Sequence, residues 1–387
     1  MRVLHIGKYF APSRGGMETF LLDLCRQSHA LGVEPGVLVH QASQTPLDPL
    51  KANSGLEPFP FLSFLDRVPC LGTVAYTPIG PGFPMRLQRA IKDFKPDVLH
   101  LHLPNPSAFS ALALPAARRL PWIIHWHADA VGDGYEARLR RVYPLYRLFE
   151  RAVLRHARAV IATSSPYLTA SQALHEWRTK CHVIPLAIDA HRLTHRGGAK
   201  MTPSWQHSGA LRVLAVGRLS RYKGFDVLVE AAAQTRAEVV IVGEGSERGR
   251  LRAMIDDRGL HERVQLVGAL DDEQRNTWLG SCDVVCLPSL NRAEAFGISV
   301  LEAMAAGKPA VVSKIEGSGL PWLVEHDHTG WHVPPGEPEA LAKRLNQIDQ
   351  NRAQLQEVGD RALQRHDQHF SLDSVTQRVI QLQKHTI

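Results

Sequence analysis

The sequence is poor in features that mark secreted, zinc-binding or membrane-spanning proteins. It has five cysteines among 387 residues, an odd number at irregular spacing, and no second Cys/His pair completes a zinc pattern. We therefore expect reduced thiols rather than disulfides or a zinc site. No uncharged apolar stretch approaches the roughly 18 residues that a membrane span needs, and the N-terminus lacks the apolar core of a signal peptide. These absences predict a cytoplasmic protein, with room for peripheral contact with the inner face of a membrane.

Two short motifs are also missing. No D-x-D phrase is present to hold a divalent metal beside a diphosphate, which favours a metal-independent site without a cofactor. The G-x-G-x-x-G fingerprint is absent too, which disfavours a dinucleotide-dependent dehydrogenase. The net charge of +7, from 45 basic and 38 acidic residues, is too diffuse to predict nucleic-acid binding. It favours an anionic partner, either a phosphorylated ligand or an acidic membrane surface.

The remaining pattern alternates apolar strands with helices in two halves of the chain. Near-continuous apolar strands separated by helices indicate parallel sheets covered on both faces, so we expect an α/β protein with two doubly wound domains. A polar stretch at 191–209 breaks the rhythm and is the expected linker between domains 1–190 and 210–370. Residues 371–387 are expected to form a closing helix, and 54–84 to form long loops. Ligands of such sheets bind at the carboxyl ends of the strands, here in an expected interdomain cleft.

Charged residues follow the predicted strands of the second half. Arg218 and Lys223 come directly after its first strand, where a guanidinium and an ammonium suit a diphosphate. Glu294 precedes a predicted helix between Gly297 and Gly307, whose free N–H groups attract anions, and Glu302 lies inside that helix. Either glutamate alone could be an ordinary surface residue, and charged loops are often only solvated. The whole phrase from Glu294 to Pro309 is far more specific.

Glycines and histidines mark the first half. Gly15 and Gly16 lie between the first strand and a helix, where backbone N–H groups can approach a phosphate, although a flexible turn explains them equally well. The phrase His125-Trp126-His127-Ala128-Asp129 ends another strand. Its two histidines could suggest a metal, but no third ligand is evident in the sequence. His100 and His102 are interpreted as strand residues.

The two glutamates, with Phe296-Gly297 between them, resemble the E-x₇-E motif of retaining glycosyltransferases, and the chain resembles glycosyltransferase family 4 over nearly its whole length. That resemblance implies the GT-B fold of two facing Rossmann-like domains, the first binding the acceptor and the second a nucleotide sugar. It also implies transfer of a hexose with retention. The donor would be GDP-mannose first and a UDP-sugar second, and the acceptor a polysaccharide or a lipid-diphosphate-linked saccharide. The phrases His-Trp-His-x-Asp and Gly-Ser-Gly-x-x-Trp further resemble mannosyl- and rhamnosyltransferases of surface-polysaccharide assembly.

The resemblance also implies a role for each site residue. Catalytic roles fall to residues at the reacting centre and the leaving diphosphate, which are His127, Arg218, Lys223 and Glu294. Donor-binding roles fall to Gly15, Gly16, Gly243, Glu244, Gly245, Phe296, Gly297, Ile298 and Glu302. Asp129 would orient His127 or bind the acceptor.

Departures from the family pattern leave the donor open. Leu186-Ala187 stands where Asn-Gly is common, and Glu316-Gly317-Ser318-Gly319 stands where a Gly-Gly phrase is usual. A nucleotide-sugar epimerase on the same fold and a non-catalytic nucleotide-sugar-binding subunit remain alternatives.

A basic stripe runs through a predicted helix of the first half. Its members are Arg138, Arg140, Arg141, Arg147, Arg151, Arg155 and Arg158. Solvated surface arginines explain it adequately, and contact with anionic lipid or a lipid-diphosphate acceptor is the functional alternative.

Overall fold

The computed structural model describes residues 1–13, 15–42, 58–74, 77–130, 137–194 and 203–387. The chain forms two compact units. Unit 1 comprises Met1–Ala187 and Leu372–Ile387, and unit 2 comprises Ile188–Ser371. The chain therefore crosses between the units twice, between residues 187 and 188 and between residues 371 and 372. Of the expected linker 191–209, residues 195–202 lie outside the described ranges, and the remainder belongs to unit 2.

Unit 1 contains a seven-stranded sheet in which every pair of neighbours is parallel, in the order β3-β2-β1-β6-β7-β8-β9. Its strands are β1 (Arg2–Ile6), β2 (Glu34–His40), β3 (Phe64–Val68), β6 (Val98–Leu103), β7 (Trp122–Trp126), β8 (Ala159–Ala162) and β9 (Cys181–Val183), and β4 (Gly72–Val74) and β5 (Thr77–Ile79) form a separate hairpin. Its helices are α1 (Gly16–Ala30), α2 (Phe83–Phe94), α3 (Pro115–Arg118), α4 (Ala137–His156) and α5 (Ser165–Ala170), joined by the C-terminal helix Leu372–Thr386.

Unit 2 repeats the design with six parallel strands in the order β12-β11-β10-β13-β14-β15. Its strands are β10 (Arg212–Val216), β11 (Glu238–Val242), β12 (Val264–Gly268), β13 (Val284–Leu287), β14 (Ala310–Ser313) and β15 (Gly330–Val333). Its helices are α6 (His191–Thr194), α7 (Phe225–Ala232), α8 (Arg248–Asp257), α9 (Asp272–Ser281), α10 (Ile298–Ala305), α11 (Leu320–Leu323), α12 (Pro338–Gln350) and α13 (Gln354–His369). The C-terminal helix of unit 1 is then α14.

Both sheets therefore reverse their strand order once, between β1 and β6 in unit 1 and between β10 and β13 in unit 2. This is the Rossmann-type order, and it confirms the predicted α/β fold class. The strands are buried because helices cover both faces, as their apolar runs predict. The loops that leave neighbouring strands at such a reversal run to opposite faces, so side chains there can converge on a ligand.

The expectation of long loops at 54–84 was wrong for the part that the structure describes. That segment contains β3, an edge strand, and the β4–β5 hairpin. Only Val68 of β3 is fully buried. An edge strand lacks the apolar run of a central strand, which is why its pattern is weak.

Across the ranges given above, no helix is both long enough and apolar enough to cross a membrane.

Candidate functional site

One basic and one acidic side chain meet at the carboxyl edge of the unit 2 sheet. Lys223 follows β10 and Glu294 follows β13, and these strands are neighbours at the reversal point. The Lys223 Nζ atom lies 2.5 Å from Glu294 Oε2, and the two side chains are only 11% and 8% exposed. The strand order therefore brings together two residues that are far apart in the sequence.

The electrostatics of this pair keep the lysine charged. Burial by itself lowers the pKa of Lys223, but the charge and hydrogen bond of the Glu294 carboxylate, together with the nearby Tyr222, more than offset this, so the pKa ends above its usual value. Ser289 Oγ donates to Glu294 Oε2 at 3.2 Å, and Ser318 Oγ donates to the Glu294 carbonyl at 2.5 Å. These bonds fix the carboxylate and its backbone, so the pair presents a cation in a defined position.

Close backbone packing holds the loop that carries Arg218 and Lys223. Leu219 N donates to the carbonyl of Glu244 at 2.9 Å, and Gly217 N donates to the carbonyl of Val242 at 3.0 Å. A Cβ on Gly243, whose φ is +145°, would lie 1.9 Å from the Gly217 oxygen. Gly243 is therefore required because the two backbone segments approach each other so closely. The side chain of the next residue, Glu244, forms an ion pair with Arg248 at 2.6 Å.

Helix α10 begins beside Glu294. Gly297 caps it in the left-handed region at φ +97°, without a side-chain hydrogen bond to the first turn. A Cβ there would meet the Leu320 side chain at 2.4 Å, so the position favours glycine. The preceding Phe296 is buried and packs near Trp322 and Phe370. The N–H groups of Ile298 and the next residue thus remain available to an anion.

Glu302 lies on α10 and is buried rather than exposed. Arg275, from α9, places Nη2 3.3 Å from Glu302 Oε1. Burial raises the pKa of Glu302 above its ordinary value, while the charges of Arg275 and Arg192 act in the opposite direction. Sequence inspection missed Arg275, since only the packing of α9 against the sheet brings it near.

Unit 1 carries the other predicted residues. Gly15 precedes α1, which starts at Gly16, and both are exposed with no side-chain cap at the helix start. Asp129 accepts hydrogen bonds from Trp126 Nε1 at 3.0 Å and Ser171 Oγ at 2.6 Å. Nε2 of His127 lies 3.0 Å from Nδ1 of His102, and Nδ1 of His127 is buried without a hydrogen-bond partner, so the role predicted for Asp129 stays a prediction.

The sequence shows no third ligand beside H-x-H, but the structure brings further histidines next to it. Histidines of β1, β6 and β7 share one sheet face in two overlapping groups whose nitrogens lie within 4.8 Å, namely His5, His100 and His102, and His102, His125 and His127. All five are buried. Burial lowers the pKa of His5 and of His127 to about 3. Their rings are therefore neutral at physiological pH, a state suited to hydrogen bonding or to metal binding.

Some arginines of the basic stripe already have partners within the protein. The side chains of Arg138, Arg140 and Arg141 lie outside the described residues. Arg151 pairs with Glu176 at 2.6 Å, and Arg158 donates to the carbonyl of Thr386 at 2.5 Å.

Comparison with known proteins identifies the two units. The Glycosyl transferases group 1 family model matches residues 203–365, and the Glycosyl transferase 4-like domain model matches residues 15–187. Together they match most of the chain. The chain belongs to the GT4-like glycosyltransferases. It is therefore a transferase, as the resemblance of its motifs predicted.

Curated relatives agree with this family, and a solved structure agrees with the fold. D-rhamnosyltransferase WbpZ of Pseudomonas aeruginosa is 28% identical over 96% of this chain and 92% of its own length. O-antigen chain mannosyltransferase C of Escherichia coli is 27% identical over 99% and 98%. The Anabaena HepE structure, determined in complex with UDP and glucose, has a TM-score of 0.78 at 22% identity over the whole of both chains. The last match shows the GT-B fold.

Proposed function

We propose that this glycosyltransferase transfers a mannose-like hexose from a nucleoside diphosphate sugar to a polysaccharide or lipid-diphosphate-linked acceptor, with retention. The observation that carries the proposal is the buried Lys223–Glu294 pair beside the uncapped start of α10. The relatives are D-rhamnosyl- and mannosyltransferases, which supports a GDP-mannose-like donor before a UDP-sugar.

The site chemistry fits a leaving diphosphate. An ammonium has three donors, so contact with Glu294 leaves Lys223 further donors for phosphate oxygens. The exposed guanidinium of Arg218 and the first N–H groups of α10 add positive potential where charge develops as the glycosidic bond breaks. The departing phosphate oxygen would take the acceptor's proton, so no separate base is required. Glu294 would accept from donor-sugar hydroxyls, and Glu302 from the ribose.

Donor identity is tested by thermal stabilisation with a panel of nucleotide sugars. A donor at 100 times its dissociation constant adds about 2.7 kcal/mol to the unfolding free energy. Transfer is then measured with that donor, and NMR of the product reads the anomeric configuration. Release of nucleotide only when an acceptor is present supports the proposal. Interconversion of the sugar without nucleotide release would instead identify an epimerase, and binding without turnover would identify a non-catalytic subunit.

Metal independence belongs to the same proposal, because the cationic groups of the site can carry the role of a divalent ion. We expect transfer to proceed in EDTA at the rate without it. Loss of activity on chelation that is restored by magnesium or manganese would contradict this part alone.

We also propose that unit 1 docks reversibly on anionic membranes through α4. Leu145, Leu148 and Phe149 are 63%, 65% and 47% exposed on this helix, and Arg147 and Arg155 are exposed among them. Arginine stems can lie along apolar surface while their charged ends contact lipid phosphates. This would bring the enzyme to a lipid-linked acceptor.

A further inference from the structure

Three of the buried histidines form a continuous line across the unit 1 sheet. His5 Nδ1 lies 3.1 Å from His102 Nε2, and His102 Nδ1 lies 3.0 Å from His127 Nε2. Strand register explains the line. His5 pairs with His100, the neighbour of His102 on the same face of β6, and β7 adds His127 just beyond its end.

The rings in this line meet end to end. The centroids of His102 and His127 are 5.3 Å apart and their planes differ by 21°. That separation exceeds the N···N distance by about 2.3 Å, which is the sum of the two centroid-to-nitrogen radii. The His5–His102 contact has the same excess. Two ring nitrogens that face each other along one line suit an N–H···N hydrogen bond, in which one nitrogen carries the proton and the lone pair of the other accepts it.

A shared metal ion fits these rings poorly. An imidazole binds a metal in its ring plane, so the planes of three ligands must intersect at the ion. The rings of His125 and His127 are stacked at 4.5 Å with planes 12° apart, and those of His102 and His125 are only 9° apart. Near-parallel stacked planes share no such point. The observed arrangement is therefore a hydrogen-bonded chain.

Because each ring is neutral, the chain has two proton arrangements. In the first, His5 donates to His102, His102 donates to His127, and His127 carries its own proton on Nδ1. In the second, every donor is reversed and the outer proton lies on His5 Nε2. The chain thus couples the tautomers of all three residues.

The unpaired end atoms decide between the two arrangements. His5 Nε2 and His127 Nδ1 are both buried without a hydrogen-bond partner. An unpaired buried N–H is rarer in proteins than an unpaired acceptor. His5 is 0% exposed and His127 is 5% exposed, so the His127 end is the less deeply buried of the two, and an unpaired N–H costs less there. The first arrangement places the unpaired donor at that end and leaves only an unpaired acceptor in the interior.

We propose that His5 and His102 hold His127 in the tautomer that carries its proton on Nδ1, which makes His102 a positioning residue and His127 a neutral donor toward a saccharide or phosphate oxygen. The role of the donated bond in transfer rests on the proposed function. The tautomer itself does not, since it follows from the hydrogen-bonded chain and from the burial of its two ends.

Nitrogen NMR of the ¹⁵N-histidine-labelled protein without substrate tests the chain. We expect the His127 proton on Nδ1 and couplings across both N–H···N bonds. The His102→Leu variant should lose both couplings and leave His127 in a mixture of tautomers. His125→Phe is the matched control, because His125 lies on the same buried face and both its ring nitrogens are without partners. It should keep both couplings. A His127 proton on Nε2, or couplings abolished by saturable Zn²⁺ binding, would overturn the proposal.

Transfer assays test the consequence. We expect His102→Leu to lower kcat/KM about three- to tenfold, the value of one hydrogen bond. His102→Asn should restore most of it, because the asparagine amide can still donate from the position of Nδ1. If the wild type shows the expected tautomers and couplings but His102→Leu and His102→Asn have the same kcat/KM, the hydrogen-bonded chain exists and does not contribute to transfer. An absence of any transfer in the wild type would remove the proposed function and leave the NMR result standing.

Discussion

The two units bury polar groups in very different ways. Each sheet reverses its strand order once, between β1 and β6 or between β10 and β13. Unit 1 buries five neutral imidazoles along one face of β1, β6 and β7, whereas unit 2 buries an ion pair of two charged side chains, Lys223 and Glu294, at the carboxyl edge of its sheet. One frame thus accommodates either neutral hydrogen-bonded rings or opposite charges that compensate each other.

The difference teaches what each region can do. A buried ion pair keeps the Lys223 ammonium protonated in a fixed position, where its remaining N–H groups can contact a phosphate. A chain of neutral rings carries no net charge and sets donors and acceptors instead. The first arrangement depends on both partners being present, and the second depends on the rings remaining neutral.

Acidification should separate the stabilities of the two units more than any other change. Burial holds the pKa values of His5 and His127 at about 3, and those of His100, His102 and His125 well below their usual value. The stabilisation is full above the unfolded value of about 6.5 and is lost as pH falls from there toward 3. Each ring takes up about one proton on unfolding, or about 1.4 kcal/mol per pH unit. We expect calorimetry between pH 7 and 5 to show unit 1 unfolding before unit 2.

Two carboxyls of unit 1, Glu150 and Asp66, act in the opposite direction. Burial and the nearby Asp129 raise the pKa of Glu150 to about 7, so its contribution grows as pH falls from 7 toward 4.5, and burial also raises the pKa of Asp66. Two carboxyls cannot offset five histidines. His125→Phe should flatten the pH slope by about one proton. A slope equal to that of the wild type would refute the account.

Breaking the ion pair of unit 2 should have the next largest effect. Lys223→Met leaves the Glu294 carboxylate buried without its cation, which costs about 3–5 kcal/mol of unfolding free energy. The double variant Lys223→Met with Glu294→Gln should recover most of that stability and still lack transfer. Urea unfolding of the single and double variants measures the coupling. If the single variant is as stable as the wild type, the pair contributes no coupling.

The sequence predicted the central strands and the helix after Glu294 well. The helix expected between Gly297 and Gly307 spans Ile298–Ala305, and buried apolar runs form the central strands of both sheets, as expected. Apolar runs and glycine stops are local signals, so one sequence suffices to find them. The edge strand β3 was missed because it lacks such a run.

Pairings between strands could not be predicted in the same way. The sequence places Lys223 and Glu294 in two separate loops. Their contact follows only from the neighbouring positions of β10 and β13. His102 was interpreted as an ordinary strand residue, and His5 attracted no attention. The alternation of His100 and His102 does indicate one shared face, but the register of β1 and β7 is needed to bring His5 and His127 to it. The roles assigned to the site residues stay predictions.

Removing Arg218 should weaken the site without disturbing the pair. Arg218 is exposed, so Arg218→Ala should cost little stability. A charge-assisted contact contributes about 1.5–3 kcal/mol, so we expect the dissociation constant for a nucleoside diphosphate to rise about ten- to a hundredfold. Arg221→Ala, which removes the same charge from an exposed position of the same loop, is the control and should change binding far less. Titration calorimetry measures both. Equal losses would indicate a general charge effect in place of a specific contact.

The smallest effect is expected on the surface of unit 1, at the helix α4 that we propose to dock on membranes. Co-sedimentation with liposomes should be stronger for anionic than for neutral vesicles and should weaken as salt rises, because screening acts over about 8–10 Å at physiological ionic strength. Each basic residue near such a surface contributes about 1 kcal/mol, and the ion pair between Arg151 and Glu176 reduces the number that can act. Replacing Leu148 by glutamate should reduce binding, because it removes apolar surface and adds repulsion. Replacing Leu71, which is 79% exposed on another part of unit 1, by glutamate adds the same charge and should reduce binding less. Binding that does not depend on lipid charge or on salt would rule out electrostatic docking through α4 and would favour a soluble saccharide acceptor.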